Sequence, residues 1–156
     1  MAKLEEGKPA PAFSLPSSEG REVSLADFKN KKKVILYFYP KDDTPGCTKQ
    51  ACDFRDFSKK IEKEDTVILG VSKDGLDSHS AFIKKYKLPF TLLSDEAKEV
   101  LKQYGVWKEK SLYGKKFMGV ERTTVVIDRK GTVRRIFPKV KVDGHAREVL
   151  ETLAAL

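Results

Sequence analysis

Both cysteines of this sequence, Cys47 and Cys52, fall in one run from Tyr37 to Cys52, and the residues around them could make one of them a nucleophile. Thr44 is a good helix N-cap, Pro45 suits the first helical position, where a missing N–H costs nothing, and Gly46 adds no bulk. Cys47 then takes the third helical position. The first turn of a helix carries unpaired N–H groups and a partial positive charge, and both stabilise a thiolate relative to a thiol. Cys47 is therefore a candidate nucleophile.

Cys52 lies five residues further on. At about 100° per residue it sits roughly 140° around the axis, with its Cα about 8.6 Å from that of Cys47. A disulfide tolerates at most about 7 Å between Cα atoms. In one intact helix the two cannot be bridged. Spacing alone leaves two meanings open: a pair of small buried hydrophobes, or a reactive Cys47 that Cys52 reaches only after the first turn melts. A Cys-x-x-Cys pair, about 5 Å apart on a helix, needs no such opening. The wider gap argues against a simple dithiol carrier.

The elements that position this pair can be read outward from it. Val34 to Tyr39 is an unbroken apolar run, as in a strand covered on both faces, and it ends at Pro40. The cysteine helix continues as an apolar stripe through Ala51, Phe54, Phe57 and Ile61. Thr66 to Val71 is a second apolar strand, which makes a βαβ unit with a parallel sheet. Asp77 or Ser78 caps a helix bearing Phe82, Ile83 and Tyr86, which Pro89 stops. Thr91 to Leu93 reads as a short strand. Ser94 then caps a helix with Ala97, Val100, Leu101 and Tyr104 aligned, closed by Gly105. Trp107 to Met118 shows no period and reads as a loop. Val120 to Asp128 and Thr132 to Pro138 form a hairpin, and Asp143 starts a closing helix. Ahead of all this, Ala10 to Val23 reads as a peripheral hairpin and Leu25 to Phe28 as a helical turn.

At 156 residues the chain fits one domain, and a domain of that size buries roughly 68 to 70% of its unfolded surface without staples. Two cysteines are too few for a disulfide scaffold and suit chemistry in a reducing compartment. The N-terminal residues lack the apolar core of a signal peptide, and no apolar run approaches the roughly 20 residues that span a bilayer. We expect a cytoplasmic protein that does not enter membranes. The 31 basic and 23 acidic side chains give a formal charge of +8. Because the lysines are interleaved with acids, a solvated surface is the expected reading rather than nucleic-acid binding. His79 and His145 are far apart in sequence, and with two cysteines they offer no zinc ligand set; no metal or other cofactor is expected. Lys41, Asp42 and Asp43 resemble a metal- or phosphate-binding loop only superficially, since no glycine-rich cradle follows.

Pro40-x-x-x-Thr44-x-x-Cys47 resembles the active-site signature of the peroxiredoxins. The second cysteine five residues after the first is similar to the bacterioferritin comigratory protein, or peroxiredoxin Q, subgroup. The likeness extends to Gly7–Phe13 (Gly-x-x-Ala-Pro-x-Phe) and to Glu121–Thr124 (Glu-Arg-Thr-Thr). It implies a single domain over residues 1–156, with a thioredoxin-like α/β fold and an N-terminal β extension, an architecture the element order also fits. It further implies a peroxidase in which Cys47 attacks the peroxide and becomes a sulfenic acid. Cys52 would then resolve it as an intramolecular disulfide, and a thioredoxin-type dithiol would recycle it.

By the same resemblance, Thr44 contacts the thiolate and peroxide, Arg122 stabilises the thiolate and the departing oxygen, and Pro40 shields the site from water. From the residues alone, Trp107 and Phe117 could line a substrate mouth but read by default as ordinary loop aromatics. A monomer or weak dimer is expected. Two rivals are a thiol hydrolase using His79 or His145 as base, and a redox-sensing or basic binding module with a reactive cysteine.

Overall fold

The computed structural model of the protein describes residues 4–156. Its centre is the strand β3 (Lys33–Phe38), buried along its whole length, as its unbroken apolar run requires. Two short strands, β1 (Ser14–Pro16) and β2 (Glu22–Ser24), precede it as an antiparallel hairpin, followed by a 3-10 turn over Leu25–Phe28. After β3 come α1 (Pro45–Asp56), α2 (Ser58–Lys63), β4 (Thr66–Ser72), α3 (Leu76–Tyr86), β5 (Thr91–Ser94) and α4 (Glu99–Gln103). The chain finishes with β6 (Trp107–Leu112), β7 (Lys115–Val120), β8 (Thr123–Ile127), β9 (Val133–Phe137) and α5 (His145–Ala154).

Five strands form the main sheet in the order β5-β4-β3-β8-β9. β3, β4 and β5 run parallel, joined through helices, while β8 and β9 are antiparallel additions on the other side. Alternation along β3 divides the interior in two. Ile35, Tyr37 and the following Tyr39 face a core shared with Ala51 and Phe54 of α1, Ile61 of α2, Phe82 of α3 and Val149 and Leu153 of α5. Val34, Leu36 and Phe38 face Val100, Leu101 and Tyr104 around α4, with Phe13, Leu15, Val23 and Leu25 of the N-terminal extension.

Several expectations from the sequence are revised, among them the helix starts. The residue ahead of α3 is Gly75 rather than Asp77 or Ser78, that ahead of α4 is Lys98 rather than Ser94, which leaves Ala97 outside the helix, and that ahead of α5 is Gly144 rather than Asp143. The cysteine helix does not run on to Ile61: Phe57 leaves helical geometry, with ψ near 2°, and α2 begins after it. Ile61 nevertheless reaches the same core as Phe54. Trp107 to Met118 is no loop, because β6 and β7 pair as a hairpin around Tyr113 and Gly114, both at positive φ (52° and 77°). That is the two-residue turn that matches strand twist. It carried no apolar period because most of its side chains are solvent-exposed on both faces. Val120 belongs to this hairpin, so the strand expected from Val120 to Asp128 is shorter, and Glu121 and Arg122 form the link into β8.

One glycine is dictated by the sheet itself. Gly70 on β4 pairs with Tyr37 on β3. A Cβ there would stand 2.9 Å from the Tyr37 Cζ and 2.7 Å from a Leu92 methyl. Only glycine leaves room for the Tyr37 ring, which lies against Phe54 of α1 at 4.9 Å between centroids.

Candidate active site

β3 and α1 bring the cysteines to the carboxyl end of the parallel strands, where open α/β sheets place their chemistry. Pro45 occupies the first helical position and Cys47 the third, and Cys47 is only 2% exposed. Both thiols are free, and Cys52 is half-buried further along the helix. Thr44 is the N-cap residue, but its hydroxyl donates to the carbonyl of Lys41 at 2.8 Å instead of capping the helix. The first-turn N–H groups therefore keep their capacity to hold an anion at Cys47.

The guanidinium of Arg122 reaches this point from the link ahead of β8. One amino nitrogen, Nη2, lies 3.4 Å from Cys47 Sγ, and the other, Nη1, donates to Gln50 Oε1 at 2.6 Å. Gln50 is 1% exposed and sits one turn along α1 from Cys47. Its carbonyl oxygen fixes the fork of the guanidinium so that the remaining arm faces the sulfur. Gly46 is what lets Arg122 approach, since a Cβ there would come within 3.1 Å of Nη2. A half-buried cation and a helix start thus converge on one buried sulfur atom, Cys47 Sγ.

Beneath them the Tyr37 phenol is fully enclosed, and burial followed by the negative charge of Cys47 pushes its ionisation well above the ordinary tyrosine range. Its hydroxyl and the Gln50 amide nitrogen have no hydrogen-bond partner among the described residues. Lys110, projecting from β6, has its ammonium lowered below the ordinary lysine value, first by desolvation and then by the charge of Arg122.

Of the five residues the sequence pointed to, Cys47, Arg122 and Thr44 are gathered at the helix start. Pro40 is half-buried directly after the β3 run, in the loop that leads to Thr44. Neither histidine makes a hydrogen bond to Cys47. His79 is bound by Asp42 and the Leu93 carbonyl, and His145 by Thr124 and Glu148. That removes the bases a thiol hydrolase would use. No group of three or more potential metal ligands occurs among the described residues.

Residues 7–136 match the AhpC/TSA family. A putative peroxiredoxin bcp of Coxiella burnetii is 55% identical over 150 residues, covering 96% of this chain and 99% of that protein. The chain belongs to the peroxiredoxins, in the Bcp and peroxiredoxin Q group. Among solved structures, a Xylella fastidiosa PrxQ mutant superposes with a TM-score of 0.92 at 33% identity, over 99% of this peroxiredoxin and 98% of that chain. A Xanthomonas campestris bacterioferritin comigratory protein, described for its alkyl peroxide reduction activity, gives a TM-score of 0.87 at 38% identity over 92% of this chain and 90% of that one. The expected thioredoxin-like fold is thereby confirmed, and so is the enzyme class, a peroxidase.

Sequence reasoning missed Gln50, which holds the Arg122 guanidinium, and the contact between Asp42 and His79. Gln50 signalled itself weakly, as a polar residue between Cys47 and Ala51 on the inner side of an apolar helix. The contact between Asp42 and His79 gave no local sign, because they are 37 residues apart and meet only in the fold.

Proposed function

We propose that this peroxiredoxin reduces hydrogen peroxide and organic hydroperoxides through Cys47, with Cys52 as the resolving thiol and a thioredoxin-type dithiol as reductant. The observation that carries the reading is the approach of Arg122 Nη2 to within 3.4 Å of Cys47 Sγ at the start of α1. The thiolate attacks the terminal peroxide oxygen, and a Cys47 S–O bond forms as the O–O bond breaks. The leaving oxygen departs as water or an alcohol after taking up a proton, and its developing negative charge is met by the Arg122 guanidinium. Thr44, whose hydroxyl is committed to Lys41 as donor, keeps oxygen lone pairs free to accept from the peroxide. Pro40, in the loop ahead of it, limits entry of water.

Attack by the Cys52 thiol on the sulfenic sulfur then forms the disulfide and expels water. Helix geometry over five residues forbids that bond while α1 is intact, so the first turn must unwind. A dithiol restores both thiols and is itself oxidised to a disulfide. Two free cysteines suit a thiol-reducing compartment, and we place the protein in the cytoplasm as one thioredoxin-like domain.

Peroxide-dependent oxidation of a thioredoxin-type reductant tests this reading in three proteins. Wild type turns over, Cys47→Ser has no activity, and Cys52→Ser completes one turnover and stalls. Full thioredoxin-dependent turnover by Cys52→Ser rejects its resolving role.

A further inference from the structure

The acidic pair ahead of the signature threonine, Asp42 and Asp43, is gripped by a helix that belongs to neither cysteine. Asp42 lies in the loop between β3 and α1 and is almost fully buried, as is His79 of α3. One carboxylate oxygen of Asp42 accepts from the Tyr39 phenol at 2.6 Å. The other faces His79 Nδ1 at 2.7 Å and accepts from the Ser78 hydroxyl at 2.8 Å. His79 Nε2 lies 2.9 Å from the carbonyl oxygen of Leu93 on β5, which can only accept. The Nε2–H donates to that carbonyl, and Nδ1 shares a hydrogen bond with the Asp42 carboxyl group, so the ring is tied at both nitrogens. The backbone N–H of Asp42 donates to Asp74 Oδ2 at 2.8 Å, and Asp74 is held in turn by Ser72. Asp43, at a φ of 57°, is held from the same helix by Lys85 and Tyr86, each at 2.8 Å.

We propose that Asp42 and His79 are positioning residues for the peroxidatic step. They clamp the loop before α1 to α3 and β5, so that Thr44 and the first-turn N–H groups stand in place around Cys47. The need for such a clamp follows from the site itself. The Thr44 hydroxyl does not cap its helix, so the start of α1 lacks the usual local lock, and its position must be imposed from outside. Since the turn after the clamp has to unwind for resolution, a fixed point at Asp42 also marks where unwinding stops and lets the loop return to the same geometry. A buried, fully hydrogen-bonded carboxyl–imidazole pair is a costly way to gain stability alone. Its use here is to specify one loop position.

This inference rests on the proposed role of Cys47, and the experiment separates the two. Wild type, Asp42→Asn, His79→Gln and the milder Ser78→Ala, which removes one donor from the edge of the clamp, are compared at a temperature where each is folded by circular dichroism. Three quantities are read: the second-order rate constant with hydrogen peroxide, the thiolate absorbance of Cys47 at neutral pH, and the rate of subsequent disulfide formation. The clamp predicts a peroxide rate lower by about tenfold or more in Asp42→Asn and His79→Gln. It predicts a smaller loss in Ser78→Ala, a reduced thiolate signal, and resolution as fast as in wild type or faster. Unchanged peroxide rates and thiolate signal in folded variants, with only a lower melting temperature, overturn the clamp and leave the role of Cys47 standing. No peroxide reaction at Cys47 in the wild type overturns the role of Cys47, and the clamp with it.

Discussion

Arg122 and Gln50 share a single hydrogen bond of 2.6 Å, and it sets the direction of the guanidinium arm that ends 3.4 Å from the Cys47 sulfur. The two residues sit 72 positions apart in the chain. Lysine in place of Arg122 keeps the charge but has no fork with which to hold Gln50 and face the sulfur together. Arg122→Lys should therefore lose about 100-fold in kcat/KM for peroxide, measured by stopped-flow, while Gln50→Ala loses less because it only frees the arm. Equal activity in Arg122→Lys and wild type would show that charge alone suffices.

Gly46 permits that approach, because a Cβ would meet Arg122 Nη2 at 3.1 Å. Alanine is the better helix former by up to about 1 kcal/mol. Gly46→Ala should keep or raise the melting temperature while slowing the peroxide reaction several-fold, as the guanidinium is pushed off the sulfur. A slower reaction that tracks a lower melting temperature contradicts this, since the loss would then come from folding.

The Tyr37 hydroxyl is buried without a partner among the described residues, and a buried polar group left unpaired costs free energy. The ring itself is held by Phe54 and Tyr39 and would remain. Tyr37→Phe should raise unfolding stability by about 1 kcal/mol in urea titrations. A loss of stability would mean that the hydroxyl is satisfied in solution.

His145 gives the fold an acid limit. Desolvation, the largest influence, lowers its ionisation below the ordinary value of 6.5, against a smaller opposing pull from Glu148. The neutral ring fits its surroundings, with Nδ1 donating to Glu148 and Nε2 accepting from Thr124. In the unfolded chain the ring takes up a proton near pH 6.5, earlier than in the fold, so the unfolded state binds more protons in that window. The stability it contributes is present above about pH 6.5 and is lost as the pH falls through the folded value. Melting temperatures measured from mildly alkaline to mildly acidic pH should fall more steeply for wild type than for His145→Gln. Parallel profiles would remove His145 as the cause.

What the sequence disclosed follows from locality. The β3 run, the Thr44-Pro45-Gly46 helix start and the placing of Cys47 depend on neighbours in the chain, and each has its expected position. The β6–β7 hairpin escaped because a ribbon exposed on both faces needs no alternating pattern. Gln50 and the Asp42–His79 pair escaped because their meaning arises only when distant segments meet. Thr44 was half legible: its place as N-cap residue followed from sequence, but the choice of the Lys41 carbonyl over the helix N–H groups depends on how the loop is folded back.

Mass spectrometry of the wild-type protein after one equivalent of hydrogen peroxide, quenched over a time course by alkylation, tests the central claim most directly. The account predicts a transient sulfenic acid on Cys47 alone, giving way to a Cys47–Cys52 cross-link with no free thiol left on either residue. A sulfenic acid that appears first on Cys52, or a Cys47 that stays fully alkylatable while peroxide is consumed, would contradict it.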